Sequence, residues 1–114
     1  MTTIYKICER AAWEEAEAAG RFVGSPADSR DGFIYFSTAA QLPGTAARHF
    51  AGQSGLMLVA VDGDALGGAL KWEPSRGGEL FPHLHAALPL SAVLWVCPLA
   101  DEREGRRPLP ELAS

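Results

Sequence analysis

The 114-residue sequence lacks the features that mark membrane-spanning, secreted and general nucleic-acid-binding proteins. It contains no apolar run of about 18 residues, the length at which a segment becomes a candidate membrane span. Its first residues show no basic segment followed by an apolar stretch, so we expect no secretory signal. The formal net charge is −4, and general DNA or RNA binding depends on a positive surface. We therefore expect no membrane association and no general nucleic-acid binding.

Cysteine is scarce, and metal-binding spacings are missing. Cys8 and Cys97 each lie in an apolar segment, and no CxxC pair occurs. Two buried, reduced thiols are the expected state, which predicts a cytoplasmic protein. The three histidines, His49, His83 and His85, are not patterned with acidic residues. We therefore expect no metal site.

The common catalytic and phosphate-binding motifs are also missing. The sequence has no GxGxxG and no GxxxxGK[ST], the two glycine-rich loops that most often cradle phosphates. It has no GxSxG, so a hydrolase nucleophile elbow is unsupported. Function must therefore be inferred from individual polar residues.

The residues that are present indicate one α+β domain built from short elements. Hydrophobic residues make up 47% of the chain, and the 12 glycines and 8 prolines predict many turns. Apolar patterns predict strands over residues 3–8, 32–37, 56–61, 69–73 and 92–97. One helix is predicted over residues 9–19, closed by Gly20. A second opens at Thr38, which has capping-box spacing to Gln41, and its regular part is predicted over residues 45–50.

The remaining stretches are predicted to be loops. Residues 21–31 are predicted as a loop, 62–68 as a turn with one helical turn, 75–78 as a flexible loop and 80–89 as an irregular segment pinned by two prolines. Helices early and strands late favour α+β over a regular βαβ alternation. We expect one domain over residues 1–100 and a charged, proline-containing tail over 101–114 that lies on the surface or frays.

Polar residues inside the predicted strands are the candidates for a site. Lys6 interrupts TIYKIC, Tyr35 and Ser37 share one strand face, and Lys71 and Glu73 share another. A polar group buried in a strand needs a partner or lines a cleft, because burial without a partner is costly. The alternatives are an exposed strand lysine, a core tyrosine with a satisfied hydroxyl, and a solvated outer face for Lys71 and Glu73.

Several segments together resemble a known bacterial family. IYKI, DGFIYFST, LKWEPSRGG, LFPHL and LPLSAV occur in that order and spacing over roughly residues 4–98. They resemble the bacterial domain of unknown function 952. That family in turn resembles the ADP-ribosyltransferase fold, which implies a small α+β domain with two main helices. Its mostly antiparallel sheet would be split and strongly bent around a nicotinamide-nucleotide cleft.

The resemblance implies roles for particular residues. Lys6 falls where the fold holds the adenosine ribose of NAD, and Tyr35 falls where a side chain stacks beside the nicotinamide. The third position, which binds the nicotinamide ribose and steadies the cationic transition state, stays open among His83, Glu73 and Glu79. Candidates for catalysis are Tyr35, His83, Glu73 and Glu79. Candidates for cofactor binding are Lys6, Ser37, Arg48, Arg76 and His85.

Two positions depart from the family pattern. Histidine is expected where this chain has Tyr35, and tyrosine where it has His85. One hypothesis is that these side chains face each other across the cleft and have traded places. The resemblance implies an ADP-ribosyltransferase-like enzyme with NAD as co-substrate. The alternative is a non-catalytic module that binds a nucleotide-type ligand or a partner. The sequence leaves the oligomeric state open.

Overall fold

The computed structural model describes residues 2–112, which form eight β-strands and three α-helices. The strands are β1 (Thr3–Glu9), β2 (Arg21–Phe22), β3 (Ile34–Tyr35), β4 (Leu56–Asp62), β5 (Leu70–Pro74), β6 (Leu80–Leu84), β7 (Leu88–Pro89) and β8 (Val93–Pro98). The helices are α1 (Arg10–Ala19), α2 (Pro26–Asp31) and α3 (Leu42–His49). Short 3₁₀ turns cover Gly63–Ala69, Arg76–Gly78 and Leu90–Ala92. The result is a small α+β domain.

The first sheet has the order β1-β4-β8, and both pairings are antiparallel. Its central strand β4 comes from the apolar run LMLVAV, because a strand that is covered on both faces needs apolar side chains on both faces. One core cluster contains Ile4 and Val59, and the other contains Tyr5 and Leu58. Successive strand residues point to opposite faces, so the sheet is covered on both sides.

Each face of the first sheet is covered by one helix. Trp13 and Ala16 of α1 belong to the first core cluster, and Leu42 and Ala46 of α3 belong to the second. The αL conformation of Gly20, with φ 84°, ends α1 as predicted. No helix within residues 2–112 has both the length and the apolar character needed to span a membrane.

The second sheet has the order β3-β6-β5 and is also antiparallel. The irregular segment predicted over residues 80–89 is wrong, because these residues contain β6 and the short strand β7. Pro82 does not interrupt β6: its carbonyl accepts a hydrogen bond of 3.0 Å from the Phe36 amide. The prolines therefore removed donors from this segment without preventing strand pairing.

One bridge joins the two sheets. The Tyr5 amide donates to the Ser37 carbonyl at 2.8 Å, and the Ser37 amide donates to the Tyr5 carbonyl at 2.9 Å. The predicted strand over residues 32–37 is therefore broken, with β3 pairing to β6 and Ser37 pairing to β1. The chain changes sheets within these residues, which leaves space beside β1.

Two helices differ from the prediction. The loop predicted over residues 21–31 contains β2, which pairs with β7, and the helix α2. Ser25 and Asp28 form a capping box at the start of α2, which stabilises this short helix. The helix α3 begins at Leu42 rather than at residue 45. Pro43 lies in its first turn, where a backbone N–H has no partner within the helix, so proline is tolerated there.

The C-terminal segment lies against the domain. The Leu99 amide donates to the Leu56 carbonyl at 2.8 Å, and Leu109 and Leu112 pack against the second core cluster. Arg103 and Arg106 pair through their backbones. Through residue 112, this segment therefore follows the surface and contacts the core at three leucines.

Candidate functional site

A cavity of about 550 Å³ opens among β1, α2, the end of β3, the C-terminal part of α3 and the Arg76 loop. It occupies the space created where the chain passes from the second sheet to the first. Four of the predicted site residues line it: Lys6, Tyr35, Ser37 and Arg76. The arrangement therefore brings polar groups from both sheets to one enclosed space.

A buried ion pair forms part of the cavity wall. The Lys6 Nζ lies 3.0 Å from Oδ1 and 2.9 Å from Oδ2 of Asp28. Burial lowers the pKa of Lys6, and the charge of Asp28 and the hydrogen bond to it oppose that shift. Asp28 Oδ2 also accepts from the Ser25 amide and hydroxyl, and Oδ1 accepts from the Tyr35 amide. Lys6 is thus the partner of a structural carboxylate and not an uncompensated cation.

Tyr35 lines the cavity, and its hydroxyl group is already hydrogen-bonded. That hydroxyl donates a hydrogen bond to Asp31 Oδ2. The hydrogen bond to Asp31, followed by partial burial, raises the pKa of Tyr35 to about 12. At neutral pH this tyrosine is a neutral aromatic ring, held in place by the C-terminal residue of α2. It provides an apolar face at this end of the cavity.

Beside Tyr35 lies a histidine cluster, made of Glu73, His83 and His85. Glu73 Oε1 is 2.9 Å from His83 Nδ1 and 2.8 Å from His85 Nε2. An ionised carboxylate only accepts, so both ring nitrogens donate to it. The hydrogen bonds from His85 and then from His83 lower the pKa of Glu73. Glu73 is therefore ionised at neutral pH and accepts hydrogen bonds from His83 Nδ1 and His85 Nε2.

His83 is the buried member of the histidine cluster, with 3% of the residue exposed. Its ring stacks on Phe33 with centroids 4.2 Å apart, and it meets the Tyr35 ring edge-on at 5.2 Å. Its Nε2 is buried and has no hydrogen-bond partner among residues 2–112. With Nδ1 donating to Glu73, Nε2 is left as a buried polar atom without a partner in the described part of the chain, which marks this ring as a constrained position.

The cavity lining also carries hydroxyl and cationic groups. The Arg76 guanidinium lies over the Phe81 ring, 4.9 Å from its centroid. The Ser37 and Thr45 hydroxyl oxygens are 2.8 Å apart. Burial, followed by the charge of Arg76, lowers the pKa of His49, which also lines the cavity. The lining therefore offers a guanidinium and two hydroxyl groups in addition to the Lys6–Asp28 pair.

The other predicted site residues lie outside the cavity lining. Glu73, His83 and His85 form the histidine cluster, which touches the cavity through the Tyr35 ring. The exposed Glu79 accepts a hydrogen bond of 2.9 Å from Gln41 Nε2, and Arg48 is an exposed residue of α3. Neither of these two residues lies against the enclosed space.

The Phe33 ring lies close to both Tyr35 and His85. The Phe33 ring centroid lies 4.8 Å from that of Tyr35 and 5.1 Å from that of His85. The two side chains therefore share one aromatic neighbour. The hypothesis that they have traded places relative to the family pattern stays a prediction.

The sequence reasoning missed several residues of the site. Asp28 falls within the loop predicted over residues 21–31, although the Ser25-x-x-Asp28 spacing is that of a capping box. Asp31 and Thr45 gave no comparable indication, because only the packing of α2 and α3 brings them to the cavity. Within residues 2–112, no group of three or more His, Cys, Asp or Glu side chains is arranged to hold a metal ion.

Comparisons with known proteins identify close structural relatives. The sequence profile of a family described as "Protein of unknown function (DUF952)" matches residues 7–96. The crystal structure of protein CC0527 from Caulobacter crescentus is 48% identical and superposes with a TM-score of 0.89, over 94% of each chain. Its solution NMR structure is 49% identical with a TM-score of 0.82, over 93% of this chain and 91% of that one. No curated protein matches the sequence significantly.

Proposed function

The chain belongs to the family described as Protein of unknown function (DUF952), and we propose that its cavity binds a nucleotide-type ligand, with NAD as the leading candidate. The observation that carries the proposal is the cavity itself. Its volume of about 550 Å³ lies within the usual range for small-molecule sites, roughly 300–1,000 Å³. Its polar groups converge from two sheets and two helices.

The distribution of charge supports a ligand with one anionic end. Arg76, which lines the same cavity as the Ser37 and Thr45 hydroxyls, suits a phosphate group, because a guanidinium donates charge-assisted hydrogen bonds. Tyr35 suits an uncharged ring, because it offers an aromatic face and its hydroxyl is already bonded. Asp31, which accepts from Tyr35, lies 3.8 Å from the cationic Arg30 of the same lining. A dinucleotide or nucleoside diphosphate supplies both an uncharged ring for Tyr35 and a phosphate for Arg76.

We propose that Lys6 has a more limited role in binding ribose than the family resemblance implies. Its ammonium group is paired with Asp28, so its charge is largely compensated. A lysine has three N–H donors, however, and a donor not directed at Asp28 is available for a ribose hydroxyl. We propose that Lys6 orients a sugar by hydrogen bonding and contributes little to phosphate affinity.

ADP-ribosyl transfer is the second candidate, and Glu73 with His83 is its proposed machinery. In that reaction the bond between nicotinamide nitrogen and ribose carbon breaks, and nicotinamide leaves with the electron pair. The acceptor then bonds to the ribose carbon, and its proton passes to water, while the buried His83 holds Glu73 in place through its Nδ1–H. A carboxylate such as that of Glu73 stabilises the intervening cation.

One observation favours binding without catalysis over transfer. Neither Glu73 nor Glu79 lines the cavity, and Glu73 Oε1 is already held by two histidines. A carboxylate must lie close to the ribose to stabilise a developing charge there. We therefore place binding first and transfer second.

Titration calorimetry with NAD, ADP and adenosine tests the binding proposal. We expect NAD and ADP to bind, and Arg76→Ala to weaken ADP by about tenfold or more while leaving adenosine nearly unchanged. Lys71→Ala is the matched control, because Lys71 is exposed and does not line the cavity. Absence of binding for all three ligands up to millimolar concentration would overturn the proposal.

Release of free nicotinamide from NAD separates the two functions. Nicotinamide release that is lost in Glu73→Gln or His83→Gln would support transfer by the histidine cluster. Binding without release would support the non-catalytic function. Release that persists when Glu73, Glu79 and His83 are each replaced would refute the proposed machinery.

A further inference from the structure

The position of the Arg76 guanidinium is unusual for a charged side chain. It lies over the Phe81 ring, and within residues 2–112 no carboxylate forms an ion pair with it. Arg76 belongs to a short 3₁₀ turn, followed by Gly77 and Gly78 with φ values of 68° and 81°. The loop backbone alone therefore does not explain why the guanidinium is directed to the wall of the cavity.

The guanidinium also lies close to Gly44, in the first half of α3. A methyl group added at Gly44 would lie 3.1 Å from Nη2 and 3.7 Å from Cζ of Arg76. The backbone of Gly44 is not left-handed, so no conformational need for glycine exists at this position. Glycine inside a helix is less stable than alanine. Arg76 occupies the space that a side chain at position 44 would need, which explains why a glycine stands there.

We infer that Gly44 is a positioning residue that seats Arg76 between α3 and Phe81 and thereby sets the phosphate-binding end of the cavity. This inference rests on the proposed function, in which Arg76 contacts the phosphate group. The Arg76 side chain and the Ser37–Thr45 hydroxyl pair line the same cavity. A guanidinium fixed before binding loses less conformational entropy when a phosphate arrives.

The size of the side chain at position 44 should then control the position of Arg76 in a graded way. In Gly44→Ala the guanidinium must move by a few tenths of an ångström, because 3.1 Å is too close for a methyl group. In Gly44→Leu the larger side chain fills the seat and excludes the guanidinium. Gly44 is exposed, and alanine and leucine are both strong helix formers, so both variants should fold.

The test combines NMR with calorimetry. In the wild-type protein, the Phe81 ring current shifts the Arg76 side-chain protons upfield; this shift should decrease in Gly44→Ala and disappear in Gly44→Leu. The ADP-over-adenosine affinity ratio should fall severalfold in Gly44→Ala and about tenfold in Gly44→Leu, matching Arg76→Ala. Gly68→Ala is the matched control, because nothing lies within 4 Å of its added methyl group.

The two readouts separate the inference from the proposed function. An unchanged Arg76 shift in Gly44→Leu would overturn the inference, whatever the ligand data show. If Arg76→Ala lowers the ADP preference and Gly44→Leu does not, the proposed function stands and the inference is wrong. If wild type shows no preference for ADP over adenosine, the phosphate-binding role of Arg76 is wrong even where the NMR shift responds.

Discussion

Lys6 and Asp28 form an ion pair that is almost completely enclosed, with 9% and 1% of their side chains exposed. The pair joins β1 to α2, and Asp28 also binds the Ser25 amide and the Tyr35 amide. One carboxylate thus connects the first strand, a short helix and β3. Enclosed pairs of this kind cost a great deal when a single partner is lost.

Lys6→Met should lower the free energy of unfolding by about 3–5 kcal/mol, because it leaves the buried Asp28 carboxylate without its counter-ion. The double variant Lys6→Met/Asp28→Asn should recover part of this loss. The asparagine side chain is uncharged, and its oxygen can still accept a hydrogen bond from the Ser25 backbone amide. Urea unfolding at neutral pH measures both. Lys71→Met, at an exposed lysine, should change stability by no more than about 0.5 kcal/mol. A loss below about 1 kcal/mol for Lys6→Met would contradict this account.

Tyr35 should stabilise the protein until strongly alkaline pH. Its pKa of about 12 in the folded state lies above its ordinary value of 10.0. The hydrogen bond to Asp31 therefore contributes stability below pH 10.0, and this contribution is lost as the pH rises from 10.0 to about 12. The stability difference between wild type and Tyr35→Phe should be constant at neutral pH and shrink over that window. Spectrophotometric titration that shows Tyr35 ionising near pH 10.0 would argue against the hydrogen bond.

Glu73 should contribute stability that is lost in acid. The hydrogen bonds from His85 and His83 lower its pKa below the ordinary value of 4.5. The contribution is complete above pH 4.5 and disappears as the pH falls through the folded-state pKa. The stability difference between wild type and Glu73→Gln, measured by urea unfolding, should therefore shrink below that pH.

The same hydrogen bond predicts where His83 carries a proton. Long-range proton–nitrogen NMR spectra should show a proton on Nδ1. In Glu73→Gln the preference for a proton on Nδ1 should weaken, because the carboxylate no longer accepts from it. An Nδ1 without a proton in the wild-type protein would contradict the hydrogen bond to Glu73.

Arg107 should hold the turn that follows α3. Its guanidinium donates to the carbonyls of Ala100, Phe50 and Gln53 at 2.8 to 2.9 Å, and Phe50 and Gln53 line the cavity. Arg107→Ala should cost about 2 kcal/mol and speed amide exchange over residues 50–55. Arg107→Lys should not restore protection, because an ammonium group lacks the planar fork.

Arg106→Ala is the control for that prediction, since Arg106 is exposed and pairs only through its backbone. It should leave the exchange of residues 50–55 unchanged. Equal exchange rates in Arg107→Ala and wild type would show that the C-terminal segment does not support the cavity wall.

Local sequence patterns were enough to predict those strands and helix ends that depend mainly on neighbouring residues. The apolar runs at residues 56–61 and 92–97 predicted β4 and β8 closely, because strands that pack on a core carry recognisable runs of apolar residues. Gly20 predicted the end of α1 through its left-handed conformation. The segment order from IYKI to LPLSAV was enough to identify the family, and the α+β class followed from the order of the elements.

Only the tertiary structure decided where the polar residues meet. Lys6 and Asp28 are separated by 22 positions, Glu73 and His83 by 10, and no local pattern records such contacts. The breaking of the predicted 32–37 strand into β3 and the Ser37 bridge depends on pairing with β6 and β1. Side-chain packing then divided the predicted site into a cavity containing Lys6, Tyr35, Ser37 and Arg76 and a separate histidine cluster. Long-range pairing and helix packing set these distances, because they depend on the whole chain and not on neighbouring residues.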